Sequence, residues 1–293
     1  MTLGIEVNGL RLDYGKFAAL RDVSFKLQGG KIYGLLGRNG SGKTSLLSIL
    51  ASFRKHTGGS VAIGGEAPFE NARIVEQVCF IQESGHMTDG VKVRDALKLA
   101  ASCWPNWDDD YADKLIRLFN LPVKKRVMAL SRGMKSALGV TLGLASRAPV
   151  TIFDEAYLGM DAPSRYAFYE ELLNDYMENP RTFILSTHLI EEVGSLFEEV
   201  LVLDEGKLLF HEETEALRSR GAAITGPAEA VDRIAEGLTV LGEQKLGRTK
   251  SVTVFGALTE EKRKAAQSEG LEFGPVSLQD LFVHLTKKRG DKQ

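Results

Sequence analysis

The sequence predicts an α/β protein in which a mixed, mostly parallel sheet carries helices on both faces. Apolar strands alternate with helical segments over most of the chain, which is typical of parallel sheets. A glycine-rich loop at residues 37–44 joins one strand to a helix, and another apolar strand ends in two adjacent carboxylates. Because open parallel sheets bind ligands at the carboxyl ends of their strands, both features indicate a ligand site at that edge.

The loop at residues 37–44, Gly-Arg-Asn-Gly-Ser-Gly-Lys-Thr, matches the phosphate-binding pattern G-x-x-x-x-G-K-[ST]. Its glycines let backbone N–H groups wrap a triphosphate, Lys43 can reach the β- and γ-phosphates, and Thr44 offers a hydroxyl to magnesium. A predicted strand at residues 31–36 and a predicted helix at residues 45–51 flank the loop, which argues against a chance match. The candidate nucleotide-binding residues here are Gly37, Asn39, Gly40, Ser41, Gly42, Lys43, Thr44 and Ser45.

The chain ahead of this loop predicts an antiparallel β region. Apolar residues alternate or cluster at strand length in residues 3–7, 10–13 and 23–27. Tyr14 ends one of these strands, where an exposed ring can stack on an adenine. On position alone, a half-buried structural tyrosine is an equal alternative.

Several later strands are expected to deliver polar residues to one edge of the sheet. Gln82, the Asp154–Glu155 pair and His188 each follow an apolar strand. We expect them near the phosphate-binding loop, because the carboxyl ends of parallel strands share an edge. The alternatives are a solvated strand end for Gln82, surface acids for the carboxylate pair and a helix-capping role for His188. These strands are predicted at residues 78–82, 150–155 and 182–186, and a further short strand is predicted at residues 60–63.

The pattern becomes helical between these strands, which predicts a helical subdomain at about residues 84–148. Helices are expected at residues 93–101 and 108–119, with a third ending near residue 146. Ser131 begins the third helix, so its hydroxyl and the following N–H groups form a potential anion site.

A Gly-rich boundary near residue 221 separates a first domain, residues 1–220, from a small accessory α/β domain, residues 221–293. Residues 199–211 read as a hairpin that closes the first domain. No group of residues in the second domain has catalytic spacing. Its helices are predicted at residues 230–238, 259–268 and 277–286, and a strand at residues 251–255.

Bulk composition excludes several classes of protein. With 37 basic and 39 acidic side chains the net charge is −2, which gives no electrostatic footprint for nucleic acid. Cys79 and Cys103 lack metal-ligand spacing and fit a reducing compartment. No apolar run approaches the ~18–20 residues that span a bilayer, and no leader is recognisable, so we expect a cytosolic chain unless a partner holds it at a membrane. No internal repeat is found, so we expect one nucleotide-binding loop per chain.

The order and spacing of these motifs over residues 2–215 resemble the ATPase subunit of an ATP-binding cassette (ABC) transporter. The resemblance implies a P-loop NTPase fold that uses ATP and Mg²⁺. It also implies that Tyr14 stacks on adenine, that Gln82 contacts magnesium and relays the site to a membrane partner, that Asp154 helps hold the magnesium shell, and that Glu155 polarises the attacking water. The predicted catalytic residues are Lys43, Glu155 and His188, and the predicted metal ligands are Thr44, Gln82 and Asp154.

Residues 130–134 correspond to the family signature L-S-G-G-Q. The resemblance implies that Ser131 and Gly133 meet the γ-phosphate, that Asp161 lies in a loop crossing the dimer, and that His188 contacts the γ-phosphate. A helix start in a separate region cannot easily close over its own chain's loop, but the same region of a second chain can. We therefore expect two chains, as a homodimer or a paralogous heterodimer, to enclose two ATP molecules head to tail.

The chain departs from the family pattern at four positions near the site. Arg132 and Met134 replace a Gly and the Gln of the signature, and Ala156 and Tyr157 replace Pro-Thr after the carboxylate pair. The signature L-S-x-G-M, together with the C-terminal residues 276–282, resembles bacterial exporter ATPases of the YtrB-like and antimicrobial-peptide or modulin types. We still expect ATP binding and hydrolysis despite these departures. The properties that they concern are the rate of hydrolysis and the contacts to the ribose.

The resemblance implies a subunit that works with a separate transmembrane permease at the cytoplasmic face of the cell membrane, as an exporter. The alternative is a soluble ABC ATPase with a mechanical role on the ribosome, on DNA or in cluster assembly. Translation-type members carry two cassettes, and DNA-repair types insert a long coiled coil; neither feature is present in this sequence. The transport role is therefore preferred.

Overall fold

The structure is a computed structural model that describes residues 2–83, 90–256, 264, 266 and 268–287. The chain divides into two compact units. The first comprises Met1–His188 and Glu199–His211, and the second comprises Leu189–Glu198 and Glu212–Gln293. These compact units do not coincide with the domains predicted at residues 1–220 and 221–293. The predicted domain boundary stays a prediction.

The first unit is built around a six-stranded sheet and a three-stranded antiparallel sheet. Its strands are β1 (Ile5–Tyr14), β2 (Phe17–Leu27), β3 (Ile32–Gly37), β4 (Gly58–Ile63), β5 (Val78–Gln82), β6 (Val150–Asp154), β7 (Thr182–Ser186), β8 (Glu199–Asp204) and β9 (Lys207–Glu213), which begins in this unit. Its helices are α1 (Lys43–Leu50), α2 (Ala72–Val75), α3 (Val93–Cys103), α4 (Asp109–Leu118), α5 (Arg132–Ala145) and α6 (Ala162–Glu178), with a 3₁₀ turn at Val127–Ala129.

The six-stranded sheet has the order β5-β6-β7-β3-β8-β9 and is parallel from β5 to β8. Every residue of β3, β6 and β7 is buried, as expected for strands covered on both faces. β8 and β9 are joined by Glu205 and Gly206, which both have positive φ. The predicted α/β class is confirmed, and the parallel register brings the carboxyl ends of β3, β5, β6 and β7 to one edge.

The three-stranded sheet has the order β2-β1-β4 and packs its alternating apolar residues into the core with α1. The sequence predicted two short strands where the structure has the single ten-residue strand β1. Register shifts interrupt the β1–β2 pairing after Val7 and again between Leu10 and Asp13, and Gly9 has a φ of 56°. These bulges break the apolar alternation without ending the strand.

α3, α4 and α5 begin within one residue of the predicted positions, whereas α1 begins two residues before its predicted start and no starts were predicted for α2 and α6. Asp108 precedes α4 and accepts a hydrogen bond from the Tyr111 N–H over 2.8 Å, a side-chain N-cap. Ser131 caps α5 and Asp161 caps α6 in the same way. α3, α4 and α5 lie within the predicted helical subdomain, whose residues 84–89 fall outside the described residues. Among the described residues, no helix is long and apolar enough to cross a membrane.

The second unit contains a four-stranded antiparallel sheet with the order β11-β12-β10-β13. Its strands are β10 (Gly221–Pro227), β11 (Thr239–Leu246), β12 (Thr249–Phe255) and β13 (Glu272–Gly274), and its helices are α7 (Ile190–Val193), α8 (Thr214–Ser219), α9 (Ala228–Ala235) and α10 (Leu278–Lys287). The described residues 264, 266 and 268 are helical. From β10 to β13 the chain therefore follows a split β-α-β-β-α-β arrangement. Its core includes Ile224, Val231 and Val254.

The sequence predicted only part of this second unit. β10, β11 and β13 were not predicted, and the helix predicted at residues 230–238 is α9, which begins and ends earlier. β10 reads Gly-Ala-Ala-Ile-Thr-Gly-Pro, so two glycines and a terminal proline hide its strand character. β11 is mostly exposed and lacks a clear apolar alternation. The helix predicted at residues 259–268 lies largely outside the described residues.

Candidate active site

The phosphate-binding loop connects β3 to α1, as the sequence predicted. Gly42, the residue before the first helical residue, has a φ of 104°, which side-chain-bearing residues rarely adopt. A Cβ atom at this position would also lie 2.7 Å from the carbonyl oxygen of Ala19. Glycine is therefore required here for both backbone conformation and close approach.

Lys43 lies buried beneath this loop. Its Nζ donates hydrogen bonds to the carbonyl oxygens of Gly37, over 2.7 Å, and Arg38, over 3.3 Å. Burial lowers the pKa of Lys43, and the nearby carboxylates of Glu155 and Asp154 offset part of that effect by attracting the ammonium charge. Among the described residues the ammonium group therefore has backbone carbonyl oxygens as its hydrogen-bond partners, and phosphate oxygens could replace them.

Thr44 and Asp154 form a pair of oxygen donors at the start of α1. The Thr44 hydroxyl donates to Asp154 Oδ2 over 2.7 Å. In the sheet register, Gln82 at the end of β5 lies beside Asp154 at the end of β6. Hydroxyl, carboxylate and amide oxygens suit magnesium, which is commonly held by one or two protein groups together with substrate phosphates. Among the described residues no cluster of three acids, histidines or cysteines could hold a metal alone. A magnesium bound here would complete its coordination shell with waters or with phosphate oxygens.

Glu155 follows Asp154 and has a φ of 53°, unusual for a residue with a side chain. Its N–H donates to the Ser186 carbonyl oxygen over 3.1 Å, which ties it to the end of β7. Its Oε1 lies 3.4 Å from His188 Nδ1. The Glu155 side chain is 22% exposed and that of His188 52%, so the pair faces solvent from the same edge as Lys43 and Thr44. The predicted carboxylate and histidine are thus brought together.

Tyr14 is the last residue of β1 and lies beside the start of α1. Its side chain is exposed, and its hydroxyl lies 3.4 Å from Ser45 Oγ. The guanidinium of Arg54 lies 4.6 Å from the ring centroid, so a cation occupies one face of the ring. A flat base can stack only on a face that this guanidinium leaves free or vacates. The sequence did not indicate Arg54, because it belongs to no motif.

The signature residues form a second group around the start of α5. The Ser131 hydroxyl accepts from the Met134 N–H over 3.2 Å. A Cβ at Gly133 would lie 2.9 Å from the Gly159 carbonyl oxygen, so α5 packs closely against the loop that leads to Asp161. Asp161 caps α6, and hydrogen bonds from Ser164 lower the pKa of its carboxyl group. Among the described residues, no hydrogen bond or ion pair joins Ser131 to the loop at residues 37–44.

Two departures from the family pattern have structural explanations. Tyr157 is fully buried, with its ring centroid 5.3 Å from that of Phe168 and 5.5 Å from that of Tyr169, so it packs the start of α6 into the core. Arg132 forms an ion pair with Glu83, which directly follows Gln82. This pair was not predicted, because its members are 49 residues apart in sequence.

The remaining predicted residues are positioned consistently with a nucleotide site. Asn39 and Gly40 are exposed at the tip of the loop, and Ser41 is buried with an Oγ that has no hydrogen-bond partner among the described residues. Ser45 is the third residue of α1 and is half-buried. An unpartnered buried hydroxyl within a phosphate-binding loop fits a site whose acceptor is a ligand.

Comparison with known proteins identifies the family of this chain. A family model described as ABC transporter matches residues 20–158. The ABC transporter ATP-binding protein YtrB of Bacillus subtilis is 25% identical over 64% of this chain, and the match spans 65% of YtrB. The uncharacterized ABC transporter ATP-binding protein YdbJ of the same organism is 30% identical over 70% of this chain and 67% of its own length.

Two further similarities concern length and fold. Nod factor export ATP-binding protein I of Ralstonia nicotianae is 25% identical over 96% of this chain and 93% of its own. A dimeric bacterial ABC transporter cassette has a TM-score of 0.65 at 18% identity, covering 72% of this chain and 98% of its own. The fold is thus that of ABC cassettes. This chain belongs to the ATP-binding proteins of ABC transporters, a family of ATP hydrolases.

Proposed function

We propose that this chain binds and hydrolyses ATP at a site shared between two copies, and that it thereby powers export through a separate transmembrane permease. The observation that carries the proposal is the group at the sheet edge: Lys43 under the loop, Thr44 paired with Asp154, and Glu155 beside His188. Charge, oxygen ligands and a carboxylate base are the parts that phosphoryl transfer to water requires.

Each residue has a chemical role in this proposal. Lys43 and the loop N–H groups bind the phosphates and hold the γ-phosphoryl group in place. Thr44, Asp154 and Gln82 would hold magnesium, which when bound neutralises phosphate charge. Glu155 orients a water molecule in line with the γ-phosphorus and accepts its proton as the bond from the γ-phosphorus to the ADP oxygen breaks. Such general-base assistance is typically worth about 10²–10⁴-fold in rate.

The second copy completes the site. Ser131 and the first N–H groups of α5 form an anion-binding helix start, and no described contact joins Ser131 to the loop of its own chain. Placed over the γ-phosphate of a second chain, this helix start would close the open side of the loop. The similarity to a dimeric cassette supports this arrangement.

The export role rests on the relatives. The Nod factor relative is an export ATP-binding protein and aligns with nearly the whole chain. We propose that the permease is a separate chain and that it holds this subunit at the cytoplasmic face of the membrane. Membrane fractionation of the native protein tests this part: a protein found only in the soluble fraction would favour a mechanical, non-transport role.

The shared site is tested by complementation between two inactive variants. Lys43→Ala and Ser131→Arg chains should each be inactive alone, since every site in either homodimer carries one defect. In a mixed dimer one site gathers both defects and the other is intact, so activity should return to as much as half of the wild-type level per mixed dimer. Mixed dimers that form with ATP, as proved by tagged pull-down, yet hydrolyse no faster than the parents would refute shared sites.

A further inference from the structure

β11 lies at one end of the four-stranded sheet, and in the described part of the chain no strand pairs with its outer side. Its residues from Glu243 to Leu246 are all exposed, and Leu246 is 87% exposed. The exposed part of this edge, residues 243–246, is therefore a template for a further strand.

The geometry of the hairpin between β11 and β12 determines which residues direct their backbone N–H and C=O groups toward this free edge. Leu246 pairs with Thr249, so Gly247 and Arg248 form a two-residue turn, and Gly247 has a φ of 60°. The pair that closes such a turn exchanges backbone hydrogen bonds. Because the pattern alternates, the backbone groups of Gln244 also face β12, whereas those of Glu243 and Lys245 face the free edge.

These two edge-facing residues carry opposite charges. Glu243 already accepts from Lys250 over 2.8 Å, and Lys250 also reaches Asp232 on α9. Lys245 has no ion-pair partner among the described residues, and it is exposed. The edge therefore presents a cation with a free charge two residues from an anion.

We propose that the free edges of β11 in two copies of this chain pair antiparallel about a two-fold axis at Gln244, which joins their sheets into one. In this register Glu243 of each copy lies opposite Lys245 of the other, and each of these pairs exchanges two backbone hydrogen bonds. Gln244 lies opposite its own counterpart, between the two charged pairs.

The charges also exclude the neighbouring registers. A slip toward the start of the strand that keeps the hydrogen-bonding pattern places Glu243 opposite Glu243, and the opposite slip places Lys245 opposite Lys245. Like charges directly opposite each other destabilise a strand pair. Glu243 and Lys245 would thus oppose pairing with unrelated strands and select one self-complementary register between two copies. This contact is separate from the proposed ATP-dependent dimer, so it is tested without nucleotide.

The experiment is disulfide cross-linking of the full chain in a Cys103→Ser background, which removes the exposed native thiol and leaves the buried Cys79. Gln244→Cys should cross-link readily under a mild oxidant, because directly opposite residues of a non-hydrogen-bonded pair have Cα atoms about 4.5 Å apart, within disulfide range. Arg248→Cys is the matched control on the same hairpin. In the proposed register its two copies lie about 26 Å apart along the strand direction, at ~3.3 Å per residue, and should not cross-link.

Charge variants then test the register. Adding Lys245→Glu to the Gln244→Cys chain places acids opposite acids and should lower the cross-linked fraction by at least about fivefold at low salt. Glu243→Lys should do the same. Mixed with each other, the two variants regain opposite charges at both pairs, and cross-linking between differently tagged chains should return toward the parental level.

The outcomes discriminate clearly. No cross-link at Gln244→Cys, equal cross-linking at Arg248→Cys, or indifference to the charge variants would each overturn the pairing. None of these outcomes bears on ATP hydrolysis, which is measured separately in the same preparations. A parent chain that shows no ATPase activity while the Gln244→Cys chain cross-links would instead count against the proposed function alone.

Discussion

Replacing Glu155 by Gln tests the assignment of the catalytic carboxylate most directly. The amide has nearly the same shape, and it can still form a hydrogen bond across the 3.4 Å that separates this side chain from His188 Nδ1. The Glu155 N–H bond to the Ser186 carbonyl is unaffected, because it involves the backbone. We therefore expect the free energy of unfolding to change by no more than about 0.5 kcal/mol.

The rate should change far more than the stability. An amide cannot accept the proton of the attacking water, so loss of the base should lower turnover by about 10²–10⁴-fold. This corresponds to about 2.7–5.4 kcal/mol of transition-state stabilisation. ATP affinity should be retained, and slow hydrolysis should leave a stable ATP-bound dimer.

The assay is steady-state phosphate release at saturating ATP, with ATP affinity from calorimetry and the dimer from size-exclusion chromatography. Glu83→Gln is the matched control, since Glu83 also follows a strand at this edge but pairs with Arg132. It should keep turnover within about fivefold of the wild type, because a surface ion pair contributes about 0–1 kcal/mol. Glu155→Gln protein that turns over within tenfold of the wild type would refute the role of Glu155.

Three further predictions follow from the same site. Lys43→Ala should weaken ATP binding by about 10- to 150-fold, since charge-assisted hydrogen bonds are worth about 1.5–3 kcal/mol, while adenosine binding stays unchanged; equal ATP affinities by calorimetry would contradict this. Bound phosphates should raise the lowered pKa of Lys43, so the affinity for ATP should be full at pH values below the pKa of the free protein, which lies below the ordinary value of 10.5. As the pH rises through that pKa, the affinity should fall by up to about tenfold per pH unit. An equally steep fall in Lys43→Ala protein would assign the effect to another group. A folded chain truncated at Gly221 should still bind ATP, because the residues proposed to contact phosphate lie in the first unit. Loss of binding with an intact circular dichroism spectrum would make the second unit part of the site.

The sequence was most informative where chemistry and local geometry coincide. The loop at residues 37–44 and the strands before Asp154 and His188 were predicted, because apolar runs of strand length lead directly into polar residues. The family is confirmed by the relative that is 30% identical to this chain, and the fold class by the similarity to a solved cassette. The roles of the individual site residues stay predictions, although the structure brings those of the sheet edge together.

What the sequence missed depends on contacts between distant residues or on weak local signals. Arg132 reads as a departure from a motif, and only the fold shows that it reaches Glu83. Tyr157 reads as a lost Thr, whereas it fills the core beside Phe168. β10 was missed because its glycines and proline carry the composition of a boundary, and tertiary pairing with β12 and β13 overrides that tendency.

The backbone of Glu155 has a consequence for how this protein can be improved. A side-chain-bearing residue in the left-handed region costs of order 1 kcal/mol, and glycine there would relieve that strain. A search for more stable variants that ignores activity would therefore be drawn to Glu155→Gly, the substitution that removes the proposed base. Stability and turnover compete at this one position, so selection for thermal tolerance alone would tend to yield well-folded, ATP-binding subunits that no longer hydrolyse ATP.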